Sequence, residues 1–198
     1  EVENRRTLVP SCSELVTEGM VVKTDTLRAI NGRRMGVELL LSNHPKDCLT
    51  CAKNLECDLQ ALAQELGVRE IRWEGEQMQY DKDVSSFSLV KDPNKCIMCR
   101  RCETMCNEVQ TSGILSGVDR GFNAFVGPAF NLPMGETSCT FCGQCVAVCP
   151  TAALTEVNNT HKVWMALNNP KKHVVVQIAP AIRVAIGELF DMSRCVAI

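Results

Sequence analysis

Cys96-Ile-Met-Cys99-Arg-Arg-Cys102-Glu-Thr-Met-Cys106 and Cys139-Thr-Phe-Cys142-Gly-Gln-Cys145-Val-Ala-Val-Cys149-Pro150 each carry four cysteines at one spacing, C-x2-C-x2-C-x3-C. Three thiolates so close along a chain can wrap one cubane 4Fe-4S cluster in a tight loop, and the fourth ligates the other cluster of a pair. On that rule Cys96, Cys99, Cys102 and Cys149 form one ligand set, and Cys139, Cys142, Cys145 and Cys106 form the second. Zinc is the competing reading, because it also takes C-x2-C pairs. Structural zinc, however, gathers two separated pairs, whereas here four cysteines crowd one short run, twice, and a proline closes the second. The stretch reads as an electron-carrying module.

The bulk properties agree with that reading. Thirteen cysteines in 198 residues can staple a chain that lacks one large core. They fall in metal spacings and no apolar run approaches transmembrane length, so a reducing interior, the cytoplasm, is expected. A formal net charge of -2 gives no footprint for nucleic acid, and Arg100-Arg101 and Lys171-Lys172 read as solvated faces or partner contacts. The chain begins at Glu1 rather than Met and ends on a strand-then-helix pattern with no closing element, giving the expectation of a portion of a longer polypeptide.

Upstream of the paired blocks lies His44-Pro-Lys-Asp-Cys48-Leu-Thr-Cys51-Ala-Lys-Asn-Leu-Glu-Cys57, four candidate ligands that suit zinc or an iron-sulfur cluster equally when taken alone. Two neighbouring clusters shift the balance to iron-sulfur. Residues 25–41 predict an amphipathic helix whose two glycines argue against an unbroken one, and Asp58 to Leu66 predicts another, with Leu59, Leu62, Ala63 and Leu66 on one face and Gly67 as its stop. Met20-Val21-Val22 is of strand type, and Cys12, alone before it, reads locally as a small core residue. Residues 68–92 read as a surface connection in which Trp73, Tyr80 and Phe87 are core anchors.

Between and beyond the blocks, Gly113 to Val126 predicts a hairpin turning at Asp119-Arg120-Gly121 that covers the clusters. Thr151-Ala152-Ala153 is expected to close the second cluster loop, and His161 and Trp164 to be packing or surface residues. Val174-Val175-Val176-Gln177-Ile178-Ala179 reads as a buried strand, with Pro180 opening the helix that follows, the start of an α/β domain. Cys195 stands in no ligand motif and reads as an ordinary core thiol.

The order of these features, from Cys12 with Val16-Thr-Glu-Gly-Met-Val-Val22, through His44/Cys48/Cys51/Cys57 and the paired blocks, to Gln177-Ile-Ala-Pro180-Ala-Ile-Arg183, resembles the iron-sulfur portion of an FeFe-hydrogenase large subunit of the multimeric, NAD(P)-linked, electron-bifurcating type. The resemblance implies an α+β chain of relay modules: residues 1–30 as the end of a plant-type 2Fe-2S domain, 31–85 as a histidine-plus-three-cysteine 4Fe-4S domain, 86–170 as a two-cluster ferredoxin domain and 171–198 as the start of the catalytic domain. It makes Cys12 the last ligand of a 2Fe-2S cluster whose other ligands lie upstream. It makes His44, Cys48, Cys51 and Cys57 the ligands of a third 4Fe-4S cluster, and it places the diiron H-cluster on cysteines downstream, so no catalytic residue falls in 1–198. A neutral imidazole in place of a thiolate should raise that third cluster's potential, as it does in Rieske centres.

The function implied is electron relay between a flavin- and iron-sulfur-containing NAD(P)-linked partner subunit, with a soluble ferredoxin as a further partner, and the diiron centre that converts H2; no membrane or nucleic-acid partner is implied. Two other functions compete. A molybdenum- or tungsten-dependent formate dehydrogenase large subunit and the related respiratory NADH dehydrogenase large subunit both resemble residues 1–90, the former also the paired blocks, and a stand-alone polyferredoxin would carry electrons with no chemistry of its own. A sensor needs one cluster, and three ligand patterns argue for conduction. No dinucleotide fingerprint is present to choose NAD or NADP.

Overall fold

The computed structural model describes residues 1–192, which divide into two units, Glu1–Val157 and one beginning at Asn158. In the first unit, Val2 and Val22 make an isolated antiparallel bridge, which is all the extended pairing the Met20-Val21-Val22 run acquires. Thr26 then caps helix α1 (Leu27–Ser42), its hydroxyl accepting from the Ala29 N–H at 3.1 Å. The helix runs unbroken through Gly32 and Gly36, against the expectation that two glycines would interrupt it. At Gly32 the reason is packing, since a Cβ there would stand 2.6 Å from Leu8 Cδ1. Glu38 on this helix is 1 % exposed and is held by Arg72 at 2.8 Å and Arg34 at 3.5 Å.

Helix α2 (Asp58–Glu65) buries Leu59 alone, leaving Leu62 exposed and Ala63 and Leu66 half-buried, so its apolar face is narrower than the sequence pattern predicts. Gly67, at φ +64°, ends it with its N–H on the Gln64 carbonyl. The segment that follows, residues 68–82, is polar and forms no helix or strand. Trp73 is exposed and Phe87 is 78 % exposed, so neither anchors a core; Phe87 instead lies against the Phe141 ring, centroids 5.1 Å apart.

The ferredoxin part is built on two short antiparallel ladders. Strand β1 (Leu89–Lys91), which the sequence pattern did not reveal, pairs with the distant β4 (Leu154–Glu156), Lys91 opposite Leu154. Strands β2 (Ser116–Val118) and β3 (Phe125–Gly127) form the expected hairpin, Gly117 opposite Val126. Helices α3 (Arg101–Thr104) and α4 (Gln144–Ala147) leave the two cysteine loops, and α3 widens into a π-helical turn, Met105–Val109, that carries Cys106. The core contains Leu89, Leu115, Val126, Met134, Val146 and Leu154 and takes in Cys102, Cys145 and Cys149. Candidate ligands are thus part of the packing itself.

In the second unit, helix α5 (Thr160–Leu167) exposes His161 and Trp164, and helix α6 (Pro180–Leu189) begins with proline at its first turn. The Val174–Ala179 run is not the buried strand its β-branched residues suggest. It forms no strand, and Val175 is 78 % and Val176 73 % exposed, because no strand among the described residues offers it a ladder. Cys195 lies outside the described residues.

Candidate metal centre

The two cysteine loops have the same backbone. Each places its second intervening residue in the left-handed region, Met98 at φ +55° and Phe141 at φ +53°, and the N–H of each donates to the first sulfur of its block, Cys96 Sγ or Cys139 Sγ, at 3.4 Å. A second left-handed residue, Arg100 at +60° and Gly143 at +77°, then turns the chain into α3 or α4. The turns curl each loop around a hollow, and an N–H aimed at sulfur favours the thiolate form.

Each block then contributes its last cysteine to the other's hollow. One cavity is lined by Cys96, Cys99, Cys102 and Cys149, together with Lys91 and Val126. The other is lined by Cys106, Cys139, Cys142 and Cys145, with Leu115 and Met134. Thr151 and Ala153, expected to close the loop of the second block, line the first cavity, because the chain crosses over at Cys149. Among the described residues no group of three or more His, Cys, Asp or Glu side chains is disposed to hold a single metal ion. Each cavity gathers four thiols, the donor set a 4Fe-4S cubane takes.

The electrostatics point the same way. Burial, helped by the neighbouring cysteines, pushes the Cys102 thiol up to about 12 and the Cys145 thiol up to about 11, and burial also raises Cys96. Such thiols are neutral near pH 7 on their own and become thiolates only against a strong Lewis acid. The donor set fits an iron-sulfur cluster, with Cys99 and Cys142 exposed and the other six thiols half-buried or buried.

His44, Cys48, Cys51 and Cys57 are ranged along the loop joining α1 to α2. His44 is buried; its Nδ1 lies 3.0 Å from the Pro45 carbonyl oxygen, and its Nε2 has no hydrogen-bond partner. A carbonyl can only accept, so Nδ1 donates to it and leaves Nε2 as the ring nitrogen placed to meet a metal, the arrangement that orients a metal-ligating imidazole. Gln60 shapes the loop, accepting from the Leu55 N–H at 2.9 Å where Leu55 takes φ +68°.

This loop docks on the first cavity. The Asp58 N–H donates to the Pro150 carbonyl at 3.0 Å and Arg101 pairs with Asp58 at 3.0 Å. Lys95 Nζ lies 2.7 Å from the Asp47 carboxylate and faces Cys51, while its carbonyl accepts from Thr151 at 2.7 Å, next to Cys149. Burial opposes the Lys95 charge, but Asp47 and Cys51 carry its ammonium above the ordinary lysine range. Cys12 is exposed on a turn, not packed in a core as its local pattern implied.

Sequence reading missed Lys91, Lys95 and Asp83. Asp83 ties the region together, accepting from the Ser85 N–H and hydroxyl and from the Met134 N–H at 2.7 Å. Aligning the two blocks would have exposed Lys91, since it stands five residues before Cys96 where Met134 stands five before Cys139.

Repeated cysteine loops on paired two-stranded ladders define an iron-sulfur electron-transfer protein of the 4Fe-4S type. Two family models match within the chain, the NADH-ubiquinone oxidoreductase-G iron-sulfur binding region over residues 33–72 and the 4Fe-4S binding domain over 135–155. The chain is 60% identical to the NADP-reducing hydrogenase subunit HndD of Solidesulfovibrio fructosivorans, over 95% of this chain and 32% of that protein. It is 32% identical to iron hydrogenase 1 of Clostridium pasteurianum, over 94% of this chain and 33% of the relative. Among solved structures, an NAD+-reducing [NiFe]-hydrogenase in the H2-reduced state superposes with a TM-score of 0.71 at 26% identity, over 78% of this chain and 66% of that one. The chain spans about a third of the length of the two curated relatives it matches. It is an iron-sulfur electron-transfer polypeptide related to these hydrogenases.

Proposed function

We propose that this chain is the electron-relay portion of an FeFe-hydrogenase subunit of the NAD(P)-linked, electron-bifurcating type. The observation that carries the reading is the pair of cavities, each walled by three thiols from one block and a fourth from the other. Cys96, Cys99, Cys102 and Cys149 would hold one 4Fe-4S cluster, Cys139, Cys142, Cys145 and Cys106 a second, and His44, Cys48, Cys51 and Cys57 a third; Cys12 would serve a 2Fe-2S cluster in the intact protein. Bound clusters supply one-electron carriage. The chain's own residues keep them dry, aim N–H groups at sulfur and fix their order: the His44 loop, then the first cavity, then the second.

On this reading the complete protein adds a diiron H-cluster and works in the cytoplasm with a flavin- and iron-sulfur-containing NAD(P)-linked subunit and a soluble ferredoxin. Iron hydrogenase chemistry is favoured by the similarity to iron hydrogenase 1, which extends over 94% of the chain. Infrared spectra of the anaerobically matured full protein test this: bands from iron-bound CO and cyanide are expected, and their absence would sink the reading. The match of residues 33–72 to the NADH-ubiquinone oxidoreductase-G region favours a second reading, the relay portion of an NADH dehydrogenase subunit, and 29% identity over 75% of this chain to a putative formate dehydrogenase of Staphylococcus aureus extends it to a formate dehydrogenase subunit. Molybdenum or tungsten in the purified protein would support the formate enzyme.

A further inference from the structure

Lys91 is buried to 5 % exposure, yet among the described residues no carboxylate pairs with its ammonium. Asp83 lies opposite it along the backbone, Asp83 N–H to Lys91 carbonyl at 2.8 Å and the reverse bond at 3.0 Å, but its carboxylate oxygens are taken by Ser85 and Met134. The side chain lines the first cavity, and the ammonium lies 5.4 Å from the centroid of Phe125. Space for it depends on Gly127, where a Cβ would fall 2.9 Å from Nζ. Burial pulls the Lys91 ammonium below the ordinary lysine range, and the charge of Asp83 opposes this without closing an ion pair, so an anionic cluster in the cavity would supply the close counter-charge that Asp83 does not.

The second cavity is different. Its lining carries no charged side chain, and at the position equivalent to Lys91 in the repeat stands Met134, buried and neutral. Lys95, the other buried lysine nearby, is already neutralised by Asp47.

We propose that Lys91 is the internal counter-cation of the cluster in the first cavity and holds that cluster at a higher reduction potential than its partner in the second, making it the electron sink of the pair. The inference rests on the ligand assignment above. A 4Fe-4S cluster with four thiolates takes up one electron and no proton on reduction, so its net charge goes from -2 to -3. A fixed positive charge in dry surroundings stabilises the more negative state most, and distant salt screens it little. Lys91 does not touch reacting atoms; it is a positioning charge.

The test is potentiometric titration, followed by electron paramagnetic resonance, of the anaerobically purified full protein. The first-cavity signal is assigned by its loss in Cys149→Ala. Lys91→Met, which installs the side chain already accommodated at Met134, is expected to shift that cluster's reduction equilibrium about tenfold toward the oxidised form, about 59 mV for a one-electron couple. The second-cavity cluster should not move, and Lys91→Arg should stay near wild type. Unchanged potentials in Lys91→Met would overturn the proposal, as would equal shifts in Met and Arg variants, which would mean shape rather than charge. Should Lys91→Met fail to assemble its clusters, Lys91→Gln is judged by the same criterion. If wild type shows no paired 4Fe-4S signals, the ligand assignment itself fails, a separate result.

Discussion

The two cavities share a backbone and differ in their walls. Met98 and Phe141 turn alike, and so do Arg100 and Gly143, because the ligand spacing dictates the loop. Around the first, strand β1 brings Lys91 and the docked His44 loop adds Asp47 paired with Lys95; around the second there are Leu89, Leu115, Ile114 and Met134. Sequence repetition thus copies the cysteine loop, while the unrepeated segments packed on each copy make the two electrically distinct. One loop geometry can serve two stations of a relay only if its surroundings set them apart.

Replacing ligands breaks the comparison most severely. Cys149→Ala should remove the cluster of the first cavity and Cys139→Ala that of the second, each lowering iron and sulfide by one 4Fe-4S complement. If both variants extinguish the same resonance signal, the crossed grouping is wrong. Because Cys102, Cys145 and Cys149 belong to the core, either loss should also lower the thermal midpoint seen by circular dichroism. Next in size, His44→Ala should strip the third cluster while leaving both cavities loaded, and His44→Cys should keep it at a lower potential, as read by anaerobic redox titration.

Smaller effects probe the supports. Gly135 sits where a Cβ would stand 2.6 Å from the Ser85 carbonyl oxygen, so Gly135→Ala must displace backbone and should cost about 1–3 kcal/mol in anaerobic urea denaturation, chiefly around the second cavity through its neighbour Met134. Smallest is the exchange of turn residues. Gly143→Ala should cost about 1 kcal/mol for a side chain in the left-handed region, whereas Arg100→Gly, which relieves that strain but forfeits an exposed pair with Glu103, should stay within about 0.5 kcal/mol of wild type.

Local patterns served where chemistry or turn geometry is local. The cysteine spacing, the hairpin between Gly113 and Val126, and the helix opened by Pro180 were all legible in that sense. The pattern failed where a distant partner decides the outcome. β1 exists because β4 pairs with it across more than sixty residues, roughly the Lys91-to-Leu154 separation, and a three-residue strand carries no periodicity of its own. The valines at 174–176 have strand propensity but no described ladder, and Phe87 is aromatic yet lies on the surface against Phe141.

What the sequence determined by itself is the geometry of the two cysteine loops, because three thiols two residues apart can only be used in a loop, and a loop's geometry is set by its own dihedrals. What only the tertiary structure decided is which cysteines face one another across the molecule, which cavity the His44 loop rests on, and that Lys91, an unremarked lysine in a polar stretch, ends in the wall of the first cavity. Those depend on strand pairing and docking between segments far apart in the chain, where burial turns an ordinary charge into a determinant of potential.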